Sequence, residues 1–404
     1  MTAPGSLSTS RAARRAYDPR VVLLVASVVV ATAAAIKVWL HPVAWDGVNH
    51  ASYNNFIIFR NAFLNLAAHR DIYAWHLDQQ WDLYKYSPAF AVLMAPFAFM
   101  PTLPGMVLWS LLNTVPLVIA IRLLPLDTRS SSLFVYLVLI ELVTSVQSAQ
   151  SNGLVAALFL LTFAMLERRQ VALAALFTAL NVAIKVFGGA GLLLFVMYPR
   201  KARSAAWTLA WVVLLAALPL LLVGPSELVA TYRAWFALLR QDTVRANTVS
   251  FYGWLEAWFR VSPPRQIVLA ASVALLVLPL ARMRLYRDET FRLLVLASLL
   301  IWAVVFNHKA ESPTFVIAMC GVATWFFAMP ASWLNRALLL LAFVFVSLSP
   351  TDLFPRAFRQ AVFVPYGLKV VPCIAIWLLI TAQLIFGWRR PVDGTAEVRE
   401  GDAV

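Results

Sequence analysis

Four groups of polar residues interrupt an otherwise strongly apolar chain, and their types suit the handling of sugars and phosphates. The densest runs from Trp45 to Tyr86 and holds Asp46, His50, Asn54, Asn55, Arg60, Asp71, Tyr73, His76, Asp78, Asp82, Tyr84, Lys85 and Tyr86. Aromatic rings stack on the C–H faces of a sugar, and carboxylates and amides bond its hydroxyls. The same rings equally suit an aromatic belt at a membrane surface. Asp46 can deprotonate an acceptor hydroxyl or hold a metal, and it can also cap the following helix or sit solvated. The second group is Gln147, Gln150 and Asn152, neutral amides that can meet a substrate or satisfy loop backbone. The third is Lys185, which can snorkel to a membrane surface or neutralise a lipid phosphate. The fourth is Asn307-His308-Lys309-Ala310-Glu311-Ser312-Pro313, where a His, a Lys and a Glu can bind a phosphate or shuttle a proton, or stay solvated.

The elements that position these groups must be membrane helices. Of 404 residues, 62% are hydrophobic and only 13% charged. The mean hydropathy is +0.77, too apolar to cover a water-soluble particle of this size. The apolar residues gather into runs of membrane length, about 20 residues for a ~30 Å hydrocarbon core, and only helices satisfy their backbone there without closing a barrel. The expected fold is therefore all-α, a polytopic transmembrane helical bundle of about 12 spans. The spans fall near 21–40, 105–124, 131–147, 153–167, 170–184, 187–198, 205–223, 265–283, 291–306, 314–330, 334–349 and 367–388.

Residues 1–20 form a basic tail, 21–390 the membrane domain, and 391–404 a disordered tail. Residues 41–104 form the first extracytoplasmic loop. Within it, Tyr53 to Ala67 reads as an interfacial amphipathic helix, and Ser87 to Pro101 as a short hairpin packed on protein. Arg168-Arg169, Arg200-Lys201-Arg203, Arg282-Arg284-Arg287 and Arg389-Arg390 all fall on the cytoplasmic side of this count. Both termini are then cytoplasmic and the protein sits in the plasma (inner) membrane. The stretch 224–263 reads as a longer outer loop.

A net charge of +14 raises the question of nucleic acid, but the basic residues lie in short clusters between apolar runs, so no nucleic-acid partner is expected. Cys320 and Cys373 lie inside apolar runs and read as buried free thiols. No Cys/His spacing suits a metal. With no soluble domain, chemistry falls to loops and helix ends at the membrane surface, which leaves a transporter, a channel or an enzyme acting on a lipid-linked substrate.

The chain resembles glycosyltransferase family 87, polytopic enzymes of the GT-C type. The resemblance runs through Asp71-Ile72-Tyr73, Tyr86-Ser87-Pro88-Ala89-Phe90 with Pro96 and Pro101, Gln150-Ser151-Asn152, Ala183-Ile184-Lys185 and the His308 loop, covering about residues 45–320. It implies a GT-C-like fold, a polyprenyl-phosphate mannose donor, and an Asp general base in the first outer loop. That position here is Asn55, and an amide does not accept a proton at neutral pH. Either Asp46 serves as base, or the acceptor differs, or this member is not a transferase. His308 resembles the family's functional His, and Lys185 its phosphate-facing Lys.

The leading expectation is a glycosyltransferase that moves mannose from a polyprenyl-phosphate-linked sugar donor to a glycan or glycolipid acceptor outside the cytoplasm. Asp46, Asn55 and His308 are its candidate catalytic residues. Arg60, Lys85, Tyr86, Gln150, Asn152, Lys185, Lys309 and Glu311 are its candidate substrate contacts. A donor with one phosphate makes no demand for a metal cofactor. The rivals are a lipid or polar-solute transporter, and a catalytically silent family member.

Overall fold

The computed structural model describes residues 19–45, 48–241 and 249–387. The expected polar tails fall almost wholly outside these residues, and so does Asp46. Among the described residues nearly all regular structure is helical. The exception to the all-α expectation is a small antiparallel hairpin, β1 (Val43–Trp45) with β2 (Val48–His50).

The described residues open with α1 (Pro19–Leu40), which packs on α5 (Thr102–Leu123) and α6 (Thr128–Gln147). Between them lie α2 (Asn54–Ala67) and a hairpin of two short helices, α3 (Pro88–Leu93) and α4 (Ala95–Ala98). Ser87 starts α3 by accepting from Phe90 N, with Pro88 pre-set for the first helical position. The bundle continues with α7 (Asn152–Glu167) and α8 (Val171–Ile184), then a 3₁₀ turn Val186–Gly191 leading into α9 (Leu192–Phe195). Next come α10 (Lys201–Ala217), α11 (Pro225–Gln241), α12 (Phe251–Phe259) and α13 (Arg265–Val277). The chain ends with α14 (Glu289–Val305), α15 (Phe315–Ala328), α16 (Trp333–Ala342), α17 (Arg356–Phe358) and α18 (Val371–Phe386).

The antiparallel pair α14 and α15 forms the centre of the core. From Leu293 to Leu300 and from Phe315 to Ala323 the apolar side chains are almost completely buried. Gly321 lets the two backbones approach, since a Cβ there would lie 2.7 Å from Ile301 and 2.8 Å from Ala297 O. Cys320 and Cys373 are free and buried.

Each expected span contains helix, and four helices are long and apolar enough to cross a membrane: Val21–Leu40, Thr102–Leu123, Thr128–Gln147 and Lys201–Leu221. The other apolar helices run 10–17 residues, so each alone is shorter than a ~30 Å hydrocarbon core. Three further expectations are corrected. The stretch 224–263 is not simply a loop, because α11 and α12 form within it. The segment expected at 187–198 is mostly 3₁₀ turn plus one short helix. Helix α2 does not lie free at an interface, because Phe56, Phe59, Phe63 and Leu66 of its apolar side are buried and its polar edge is covered. Asn61 Nδ2 donates to Gln80 at 3.3 Å, Asn65 Nδ2 to Gln79 at 3.0 Å, and Trp81 N donates to Asn54 Oδ1 at 3.3 Å.

The two ends of the bundle are built differently. At one end Arg292 makes a two-bond pair with Glu167 (2.6 and 2.9 Å), which also accepts from the Tyr198 hydroxyl. Arg168 binds Leu123 O and Arg282 binds Leu384 O at the same end. The basic clusters around 168, 200 and 282 thus gather together. The opposite end carries the polar groups singled out above.

Candidate functional site

Each patch reaches this end for a local reason. Helix α6 stops in a left-handed turn: Ala149 has φ 51°, and Gln150 N bonds back to Ser145 O at 3.2 Å. The Trp109 indole fixes that turn by donating to Ala149 O at 3.0 Å. Helix α8 breaks at Lys185, which is extended (φ −139°, ψ 126°). The chain folds back so tightly there that a Cβ on Gly188 would sit 2.5 Å from the Asn181 carbonyl carbon. After α14, Asn307 forms an Asx turn, accepting from Lys309 N at 3.0 Å, and so presents His308. Glu311 then closes a reciprocal cap with Thr314. The stretch Tyr84 to Tyr86 is held by an aromatic ladder that passes from Tyr73 through Tyr84 and Tyr86 to Phe90. The Tyr84 hydroxyl bonds Ser87 O, and the Tyr73 hydroxyl bonds Tyr86 O.

These pieces surround one cavity of about 580 Å³. Its polar lining includes Asn55, Asp82, Lys85, Tyr86, Gln150, Lys185, Asn307, His308, Lys309 and Glu311. Its apolar wall comes from Ile58, Ile184, Val186 and Phe187, from Trp235 and Leu239 of α11, from Leu269 of α13, and from Trp302 and Phe306. Leu239 and Leu269 of this wall are exposed.

The charged groups fall into two sets. In the first, Lys185 Nζ donates to Asn152 Oδ1 at 2.6 Å, Asn152 Nδ2 to Gln150 Oε1 at 2.5 Å, and Gln150 Nε2 to Glu311 Oε2 at 2.6 Å. Every bond in this relay runs the same way, from ammonium to carboxylate, through two neutral amides. Both ends are charge-assisted, so the relay is firm, yet Lys185 keeps two of its three N–H donors for another partner. In the second, Lys85 Nζ bonds Asp82 at 3.0 and 3.3 Å. Trp235 Nε1 holds the Lys85 carbonyl at 3.3 Å. Burial, with the neighbouring Lys85, pulls the Lys309 ammonium below its ordinary pKa, and Asp82 opposes this.

His308 lies in the same rim. Burial, reinforced by Arg265, moves its pKa below the ordinary 6.5, so the ring is neutral at pH 7. Its Nε2 is buried without a hydrogen-bond partner among the described residues. A buried polar atom left this way costs free energy until a ligand satisfies it.

Of the residues expected at the site, Asn55, Lys85, Tyr86, Gln150, Lys185, His308, Lys309 and Glu311 line the one cavity. Asn55 donates through Nδ2 to Ser148 O at 2.9 Å. Asn152 is fully buried and holds Lys185 instead of lining the cavity. Arg60 does not line the cavity. Its two Nη groups donate to Ala98 O, Met100 O and Thr102 Oγ1 (3.0–3.2 Å), which ties α2 to the segment after α4, and its Nε is buried without a hydrogen-bond partner among the described residues. Asp46 lies outside the described residues. Asp82, which belongs to the densest polar group but not to the expected contacts, and Trp235 also line the cavity. For Asp82 the available signal was its spacing three residues before Lys85; for Trp235 nothing marked it inside an expected loop. Among the described residues no group of three or more His, Cys, Asp or Glu could hold a metal ion.

An apolar helical bundle whose helices include four long and apolar enough to cross a membrane marks a membrane protein, and its cavity sets ammonium groups against an apolar wall. The model of glycosyltransferase family 87 matches residues 84–307, more than half of the chain, and the chain belongs to that family. The protein is accordingly a glycosyltransferase. Comparison with curated proteins returns no match.

Proposed function

We propose that this membrane glycosyltransferase moves a sugar, mannose, from a polyprenyl-phosphate donor to a glycan or glycolipid on the extracytoplasmic face of the plasma membrane. The observation that carries this reading is the shape of the cavity's chemistry. Lys185, with two N–H donors to spare, offers positive charge to one phosphate, while α11, α13 and α14 offer apolar surface to the lipid attached to it. The amides of Asn55 and Gln150 and the ring of Tyr86 suit the hydroxyls and C–H face of a sugar between them. His308 brings an unpartnered nitrogen to the same rim.

The test is transfer of radiolabelled mannose from synthetic mannosyl polyprenyl phosphate to cell-envelope lipid or glycan extracts, with the protein purified in nanodiscs. Transfer that needs both the lipid-phosphate donor and the protein supports the reading. Bound donor without transfer to any acceptor would instead favour a catalytically silent member, the alternative that Asn55 keeps open.

A further inference from the structure

Sugar transfer to a hydroxyl needs a group that takes the acceptor's proton as the oxygen bonds the anomeric carbon. Asn55 cannot do this, because its amide oxygen is too weakly basic and its nitrogen is committed to Ser148 O. The described carboxylates lining the cavity are Asp82 and Glu311. They are held in opposite ways. Glu311 accepts from Gln150 at 2.6 Å and takes part in the reciprocal cap with Thr314. It terminates the relay from Lys185, which ties it to the ammonium that would receive the leaving phosphate.

Asp82 sits in the other set. Its Oδ1 accepts from Leu83 N at 2.7 Å and from Lys85 at 3.0 Å, while Oδ2 meets Lys85 only at the longer 3.3 Å. The Asp82 side chain is 43% exposed, so its ion pair is a loose one and a proton it accepts can pass to water. Direct displacement at the anomeric carbon needs its base across the sugar from the phosphate, and Asp82 is the described cavity carboxylate that is not tied to Lys185.

We propose that Asp82 is the general base of the transfer, with Lys85 holding it ionised and in place. The proposal rests on the sugar-transfer reading above. The acceptor O–H gives its proton to Asp82 Oδ2 as its oxygen forms the new bond to C1. The C1–O bond to the phosphate breaks, and its electron pair leaves with the polyprenyl phosphate beside Lys185.

The experiment compares wild type with Asp82→Asn, Asp82→Glu, Asp82→Ala, Glu311→Gln and Asp46→Asn in nanodiscs, reading transfer rate and, separately, binding of polyprenyl monophosphate. Asp82→Asn should lower kcat about 10²- to 10⁴-fold and change polyprenyl monophosphate affinity less than about threefold. Asp82→Glu should keep part of the rate, and formate should partly restore Asp82→Ala. An active wild type whose Asp82→Asn variant stays within about twofold, or a loss confined to Asp46→Asn or Glu311→Gln, overturns the assignment. Should Asp82→Asn fold poorly, the absence of any formate effect on Asp82→Ala that still binds polyprenyl monophosphate would overturn it. A wild type that transfers no sugar from any polyprenyl phosphate refutes the underlying reading instead.

Discussion

At the scale of single residues, the site keeps opposite charges close without letting them neutralise each other. A direct Lys185–Glu311 contact would leave the ammonium little attraction for a phosphate. Two intervening amides hold both groups in place while keeping the charges separated. His308 adds a group whose state depends on pH. Its folded-state pKa lies below the unfolded 6.5, because burial and Arg265 both disfavour the imidazolium. The folded protein therefore binds that proton less readily than the unfolded chain, and stability falls as pH drops below 6.5. Activity should fall over the same acid range, since a protonated ring no longer accepts a hydrogen bond. His308→Gln should flatten the acid limb of the rate–pH profile, and an unchanged limb would assign it to another group.

The element scale shows what was legible in the sequence and what was not. The patches at Lys185, Gln150 and His308 stood out because polar residues in an apolar background carry a cost that needs a reason. Their convergence follows from helices that all turn at one end. Helix α11 was harder to see. Glu227, Arg233 and Arg240 make it read as a charged outer loop, although Trp235 on it is buried against the site. Residues 79–81 cover the asparagines of α2, a partner that helical periodicity does not reveal. Arg60 misled for a related reason: guanidinium donors bind backbone carbonyls as readily as phosphates. The turn at Lys185 gives a test of element geometry. Gly188→Ala would drive a Cβ into the Asn181 backbone, at a cost of about 1–3 kcal/mol, and displace Lys185. The expected result is a KM for the donor raised about tenfold or more with the fold retained by circular dichroism; an unchanged KM would show that the turn adapts.

For the whole molecule, the firmest tie between the site and the bundle is buried. Lys369, in the turn before α18, bonds both oxygens of Glu141 on α6 at 2.9 Å, and donates to Ser312 Oγ at 2.8 Å and Ser312 O at 3.2 Å. Both side chains are almost wholly shielded from solvent, at 5% and 0% exposure. Removing one partner would strand the other charge, at a cost of about 3–5 kcal/mol. Glu141→Gln should therefore lower the midpoint of thermal unfolding sharply. The double variant Glu141→Gln with Lys369→Met should recover much of the loss, and no recovery would show that the pair acts through Ser312 rather than through charge. Because Ser312 follows Glu311 directly, this pair also fixes the rim that carries the Lys185 relay.

Leu239 and Leu269 line the cavity and stay exposed. The lipid-linked donor proposed above would keep its hydrocarbon tail on apolar surface of this kind and out of water as it binds. Its encounter rate is set by how crowded it is within the two-dimensional sheet of lipid, and mole fraction replaces molarity as the quantity that governs saturation.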